Sequence, residues 1–377
     1  MIYLDSAATT MEKPASVANA TAWAMNHMAS PGRGGHQAGM RAADTLFALR
    51  ETAVELFDVP SPDRVVLTYN ATHALNLAIH ALVRPGHTVL ISGYEHNAVT
   101  RPLCARKDIN LRVAQAPVFD QAGMLDAFAR ELERGVDVVI CTHVSNVFGF
   151  ILPVEELSKL CRDRGVPLIV DASQSAGCLP VNLTGWAAAY VAMPGHKGLY
   201  GPQGTGLLLC GEEQPAPLLY GGTGSESKNQ AMPEFLPDRL EAGTQNVAGA
   251  AGLLAGLRFV RRKGISRIGA YEHCLCTRMM DALEQIPGVH VFRGGIGNQT
   301  GVCSMTVEGM DCEEVGSWLA CRGVAVRAGL HCAPLAHQTA GTLDTGTVRL
   351  SFSVFNTTQQ VCRVAALVEQ MVRCHAK

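Results

Sequence analysis

The residue best suited to covalent chemistry in this sequence is a lysine in a glycine-rich loop, Met193-Pro194-Gly195-His196-Lys197-Gly198-Leu199-Tyr200-Gly201-Pro202. A lysine in such a loop is usually a solvated charge. Flanking glycines let a ligand approach the backbone closely, and an amine there can instead form a Schiff base with a carbonyl cofactor. If that cofactor is pyridoxal phosphate, its ring nitrogen needs a carboxylate partner. The run Val166-Pro167-Leu168-Ile169-Val170-Asp171 reads as a strand buried on both faces and ends in such a carboxylate. Ligands of open α/β sheets sit at the carboxyl ends of strands. An aspartate in that position equally caps a following helix.

Two further passages bear on a phosphate and on a ring. In Leu67-Thr68-Tyr69-Asn70-Ala71-Thr72-His73 a strand runs through a small-residue turn into a helix start. Free amides and the helix dipole suit a phosphate there, and the Thr72 hydroxyl adds a donor. A plain Thr or Asn helix cap is, for this passage alone, the better reading. His96, in Tyr94-Glu95-His96-Asn97-Ala98, follows another strand and offers a flat ring to an aromatic cofactor. A lone histidine is more often structural.

The elements that must position these residues alternate along the chain. Strands are expected over 65–68, 88–92, 136–142, 167–171, 190–193 and 206–210, with helices over 14–29, 38–57, 72–83 and 154–164. This alternation predicts an α/β fold with a largely parallel sheet. The strands over 190–193 and 206–210 are too close for a helical crossover, so one of them should run antiparallel. Periodicity lapses over 221–246 and returns with a helix over 247–262. Strands over 289–292, 302–307 and 347–353 and a last helix over 358–374 follow. The expected organisation is an arm over 1–14, a large domain over 15–250 and a smaller C-terminal α/β domain over 251–377.

Composition narrows the class. The 377 residues are 47% apolar and 17% charged, with a net charge of −2, which predicts no nucleic-acid partner. No apolar run reaches the roughly 18 residues of a membrane span, and the N-terminus has no signal-peptide pattern. The 13 cysteines are an odd number without C-x-x-C spacing, which argues against a disulfide framework or a structural zinc site. A reducing cytoplasm and mostly buried thiols are expected.

Taken together, these passages resemble the class V aminotransferase fold and, within it, the cysteine desulfurases and selenocysteine lyases. The resemblance runs from Leu4-Asp5-Ser6-Ala7-Ala8-Thr9-Thr10 to Asn356. It implies a fold-type I pyridoxal phosphate enzyme with Lys197 as the Schiff-base lysine, Asp171 on the pyridine nitrogen, Gln174 on the phenolic oxygen and His96 on the ring. Ala71, Thr72 and His196 would hold the phosphate, and Asn146 would contact cofactor or substrate. Arg239-Leu240-Glu241-Ala242-Gly243-Thr244-Gln245-Asn246 matches the family's R-x-E-x-G-T-x-N stretch. There Thr244 would reach the phosphate of a second subunit, which implies a homodimer.

Two C-terminal passages narrow the resemblance further. Arg327-Ala328-Gly329-Leu330-His331-Cys332-Ala333-Pro334 resembles the R-x-G-x-H-C-A segment of group II desulfurases, with Cys332 as the sulfur nucleophile. A nearby His or cation is expected to favour its thiolate. Arg349, among apolar residues, has a fork suited to an amino acid carboxylate. The implied reaction takes L-cysteine to L-alanine and leaves persulfide sulfur on Cys332 for an acceptor protein. L-selenocysteine cleavage, another β-lyase reaction or transamination on the same fold is the alternative, and a non-catalytic sulfur-carrier partner a remoter one. Two departures stand out. Gly198 is an extra residue after the lysine, and Pro194 stands where many members carry a phosphate-binding Ser, with Thr223-Gly224 as a candidate replacement.

Overall fold

The computed structural model describes residues 1–32, 35–211 and 215–375. Side-chain alternation along its strands explains the architecture. In Val138–Thr142, Val139 and Cys141 enter one apolar cluster, while Val138 and Ile140 enter another on the opposite face. Leu168 and Val170 alternate with Ile169 in the same way in the next strand. A strand covered on both sides reads as a continuous apolar run, and helices supply both covers.

The large sheet has seven strands. In spatial order they are Val65–Thr68, Gly206–Cys210, Tyr190–Pro194, Leu168–Asp171, Val138–Thr142, Thr88–Ser92 and Asn110–Ala114. Gly206–Cys210 runs antiparallel to both its neighbours, and the remaining pairings are parallel. The antiparallel strand is therefore the one that follows the lysine loop. Asn110–Ala114 was not expected from the sequence. It is an edge strand whose Asn110 is exposed and whose Leu111 and Arg112 are only half-buried, so it lacks a continuous apolar run. The strand expected from residue 136 begins at Val138.

A second, antiparallel sheet orders Arg327–Gly329, Thr347–Ser351, Val302–Val307 and Val289–Phe292. Its apolar side chains pack with those of helices Ile265–Leu283, Cys312–Ala320 and Thr358–His375. Ile2 and Leu4 from the other end of the chain join that core. Ile2–Tyr3 pairs with Val324–Ala325, so the N-terminal residues are partly strand. Helix Val247–Lys263 belongs to the large core through Ala250, Leu253, Leu254 and Leu257. Among the described residues, no helix is long and apolar enough to cross a membrane.

A buried ion pair fastens the long segment before that helix. Arg50 forks onto both Glu241 oxygens at 2.8 and 2.9 Å, and the Leu67 amide donates to Glu241 Oε1 at 2.6 Å. Removing one partner of a buried pair strands the other charge. Glu241→Ala is therefore expected to lower the unfolding free energy by about 3 kcal/mol, measured from the denaturant midpoint. An unchanged midpoint would show that the pair does not anchor the segment.

Candidate active site

The carboxyl ends of the parallel strands open onto a cavity of about 220 Å³. Of the eleven residues singled out from the sequence, eight line it: Ala71, Thr72, His96, Asn146, Asp171, Gln174, His196 and Lys197. Cys332, Arg349 and Thr244 do not.

Asp171 ends its strand with 3% of its surface exposed, and its Oδ1 accepts from the Ser173 amide at 2.9 Å. The chain then turns, and the next helix begins only at Leu183, so the aspartate caps no helix. On the neighbouring strand Ala192 sits in register with Asp171. Lys197 follows in a loop closed by Gly195 N to Thr205 O and Gly201 N to Gly195 O bonds of 2.8 and 2.7 Å. Gly198 has a steric reason to be there: a Cβ on it would come within 2.4 Å of the Ala176 carbonyl oxygen. The extra residue lets the lysine loop lie against the turn that follows Asp171. Burial pulls the half-buried Lys197 down to about 8, against the pull of Asp171, and the Arg349 charge adds to the lowering.

The corner of the cavity where a phosphate was expected is built on helix Ala71–Leu82. Asn70 is its cap, accepting from the His73 amide at 2.9 Å. The cap is thus Asn70 rather than Thr72, and the first-turn residues Ala71 and Thr72 face the cavity. His96 accepts from the Ala98 amide through Nδ1 at 3.0 Å, which places its proton on Nε2. Burial and the Lys197 charge lower its pKa, so it presents a neutral ring. His196 is lowered to about 4 by burial and the same lysine, and its Nδ1 lies 3.0 Å from Thr9 Oγ1. Gln174 donates to the Ala7 carbonyl at 2.9 Å. Pro194 lines the cavity without offering a donor, and Thr223 does not replace it within this chain, since its hydroxyl pairs with Ser225 at 3.1 Å.

The second chemical group approaches from the loop that follows strand Arg327–Gly329. Asn146 donates to the His331 carbonyl at 2.7 Å, and the Cys332 carbonyl accepts from the Asn97 amide at 2.7 Å. Asn97 lies between two lining residues, His96 and Ala98, so Cys332 is tied to the cavity rim. Its thiol is exposed, and His331 and Cys332 both have left-handed backbones, at φ 53° and 55°. Exposure alone does not single it out, since six of the thirteen thiols are exposed. Of the nearby His or cation expected to favour the thiolate, His331 is not a cation. Its Nδ1 lies 3.3 Å from His337 Nε2, its Nε2 lies 3.2 Å from the Arg327 carbonyl, and burial pulls it down to about 3. A neutral ring with both nitrogens engaged holds the loop. Arg327 is a cation within electrostatic reach of Cys332.

Arg349 is 2% exposed. It donates through Nη1 to the Asn146 carbonyl at 2.9 Å and through Nη2 to Asp5 Oδ1 at 2.7 Å, while its buried Nε has no partner. It is therefore no solvated strand arginine. Asp5, Thr9 and Thr10 were missed from the sequence because the arm read as a loop. Thr10 donates to the His196 carbonyl at 3.0 Å and so fastens the lysine loop. Glu95 was also missed. It is fully buried, accepts from the Thr142 amide at 2.7 Å, and burial pushes it up to about 8. Thr244 is exposed and stands apart from the cavity; in its motif Asn246 caps the following helix by accepting from Gly249 N at 2.9 Å.

A profile of the aminotransferase class-V family matches residues 2–364. The chain belongs to the aminotransferase class-V family. A probable cysteine desulfurase of Methanothermobacter thermautotrophicus is 32% identical to this family member over 98% of the chain and 94% of that protein. Another, from Mycolicibacterium paratuberculosis, is 32% identical over 96% of the chain, which spans only 54% of that longer protein. Among solved structures, the apo cysteine desulfurase of Thermococcus onnurineus superposes with a TM-score of 0.90 at 31% identity, over 99% of this chain and 94% of that one. A cysteine desulfurase of Escherichia coli gives a TM-score of 0.86 at 27% identity, over 99% and 94%. The fold is that of the class-V family's mixed α/β enzymes, with a large, mostly parallel sheet.

The lowered Lys197 amine makes a direct prediction. The neutral, nucleophilic form gains population as pH rises through about 8. The rate at which a small aldehyde modifies Lys197, followed by borohydride trapping and peptide mapping, should reach half its plateau near that pH. A midpoint near the 10.5 of an ordinary lysine would contradict the site's electrostatics.

Proposed function

We propose that this class-V family member is a pyridoxal phosphate-dependent cysteine desulfurase. One observation carries the reading: a desolvated Lys197 and Asp171 share a cavity whose rim holds the exposed thiol of Cys332. The residues present suit the cofactor. Thr72 and the helix start at Ala71 offer donors to a phosphate, Asp171 offers an acceptor to a ring nitrogen, and Lys197 offers an amine to a carbonyl. When bound, pyridoxal phosphate supplies an electron-withdrawing ring that stabilises negative charge at the substrate α-carbon.

The remaining steps belong to this chain's side chains. Arg349 has three unused N–H groups, one of them the partnerless Nε, to receive the carboxylate of L-cysteine. Lys197 Nζ, neutral above about pH 8, takes the α-proton. The carboxylate of Asp171 would hold a proton on the ring nitrogen of the bound cofactor. The Cys332 thiolate then attacks the substrate sulfur. A sulfur–sulfur bond forms, the carbon–sulfur bond breaks, and its electron pair stays with the carbon fragment, which takes up two protons, the α-proton returned by Lys197 and the one from the substrate thiol, and leaves as L-alanine. The persulfide sulfur on Cys332 passes to an acceptor thiol, for which the exposure of Cys332 leaves room. The exposed Thr244, away from its own cavity, supports a homodimer in which it serves the partner's phosphate corner. Exposed Trp23, Met25, Met40 and Phe47 on the first two long helices also support a covered face.

Lys197→Ala should lower alanine formation from cysteine by at least about a hundredfold and abolish the borohydride-reducible absorbance. Cys332→Ala should keep that absorbance but lose persulfide formation from cysteine. Full desulfurase activity in Cys332→Ala would overturn the nucleophile assignment. A requirement for a keto acid acceptor would favour transamination. Sedimentation at twice the 40.1 kDa chain mass is expected, and a strict monomer would exclude the role of Thr244.

A further inference from the structure

Glu95 closes a gap in the large sheet. Strands Thr88–Ser92 and Val138–Thr142 pair only as far as Ile91 and Ile140. Beyond that point the Thr142 amide donates to Glu95 Oε1 at 2.7 Å, and the Ser92 hydroxyl donates to the same oxygen at 2.5 Å. One carboxyl oxygen thus continues the pairing after the two main chains part. The other, Oε2, is buried without a partner.

The joint lies beside the cavity. Thr142 is in register with Asp171 and lines the cavity, as does His96, the residue after Glu95. Asn97, one residue further, donates to the Cys332 carbonyl at 2.7 Å. The far side of this turn is held by Gly93 N to Ala114 O at 2.8 Å and by the Tyr94 hydroxyl, which donates to the Ala116 carbonyl at 2.7 Å. Glu95 holds the near side. The His96 ring and the loop of Cys332 therefore both hang on a turn that this side chain ties to the strand end.

An ionised carboxyl would be costly there. Glu95 has none of its surface exposed. The groups facing it give an anion no counter-charge: Asp171 on the next strand has the same sign, burial keeps the Cys141 thiol protonated, and His96 is neutral. The two donors on Oε1 favour the anion less than burial penalises it, which pushes the carboxyl up to about 8.

We infer that Glu95 keeps its proton and works as a neutral acid, a positioning residue that fixes the His96 turn to the strand end without placing a second anion beside Asp171. Asp171 is then the single carboxylate at the place of the ring nitrogen. The inference deepens the proposed function and rests on the roles given there to His96, Asp171 and Cys332. Glu95 itself does not line the cavity and acts through the turn.

Glu95→Gln tests it, since the amide keeps the Oε1 acceptor and carries no charge. The infrared difference between the wild-type chain and Glu95→Gln, taken at about pH 6 and so below the value near 8 to which burial raises the group, should contain the carbonyl stretch of a protonated carboxyl. A carboxylate band in its place overturns the inference. In the holoenzyme, Glu95→Ala leaves the Thr142 amide without an acceptor and should lower both kcat and the induced circular dichroism of the cofactor by about tenfold. Glu95→Gln should recover both. A glutamine variant as impaired as the alanine one overturns the inference, because the charge would then matter. An alanine variant equal to wild type overturns it as well, because nothing would hang on the joint. So does a Glu95→Gln chain that fails to fold, since a neutral isostere should fit. The infrared comparison needs only that variant and decides the matter should Glu95→Ala fold poorly. If the wild type never acquires cofactor absorbance, the functional reading falls, while the infrared band still tells whether Glu95 keeps its proton.

Discussion

Asp171 and Lys197 stand at the carboxyl ends of two adjacent parallel strands, and everything chemical in this protein depends on their opposition at that edge. The strands are in register, Asp171 opposite Ala192, and the chain reaches Lys197 five residues later through a loop fastened by Thr205 and Thr10. Burial drives the amine toward its neutral form, while the aspartate opposes that drive. The balance leaves a lysine able to act as nucleophile and base near neutral pH. A sheet covered on both faces makes this possible, because it fixes the strand ends without exposing them to solvent.

The second constraint is the joining of two cores at one cavity. Arg349 belongs to the antiparallel sheet, yet it bonds Asp5 near the N-terminus and the carbonyl of Asn146, which lines the cavity below the large sheet's strand ends. Asn146 in turn holds His331, and Asn97 holds the carbonyl of Cys332. These links carry the thiol to the rim while keeping it exposed. His331 and His337, stacked 5.5 Å apart and 11° from parallel, brace the loop rather than ionise the thiol.

Much of this was legible in the sequence, for identifiable reasons. Doubly buried strands such as Leu168–Asp171 announce themselves as unbroken apolar runs, and a Lys among glycines or a Cys within an Arg-x-Gly-x-His-Cys frame is conspicuous. Asn110–Ala114 was invisible because an edge strand is only half covered. Asp5 was invisible because its partners, Arg327 and Arg349, lie more than three hundred residues away, at separations of 322 and 344. Whether a His or a cation serves Cys332 was left open by the sequence, because adjacency says nothing about where the His331 nitrogens point. Gly198, an oddity in the sequence, became intelligible only beside the Ala176 carbonyl.

The central claim is that the lysine cavity and Cys332 form one reaction centre. A single turnover with L-cysteine carrying labelled sulfur, quenched with an alkylating agent and mapped by peptide mass spectrometry, tests it directly. The account predicts that the label resides on the Cys332 peptide, at no more than one atom per chain, and is released by a thiol reductant. Label on any of the other twelve cysteines, with Cys332 unmodified, would contradict it.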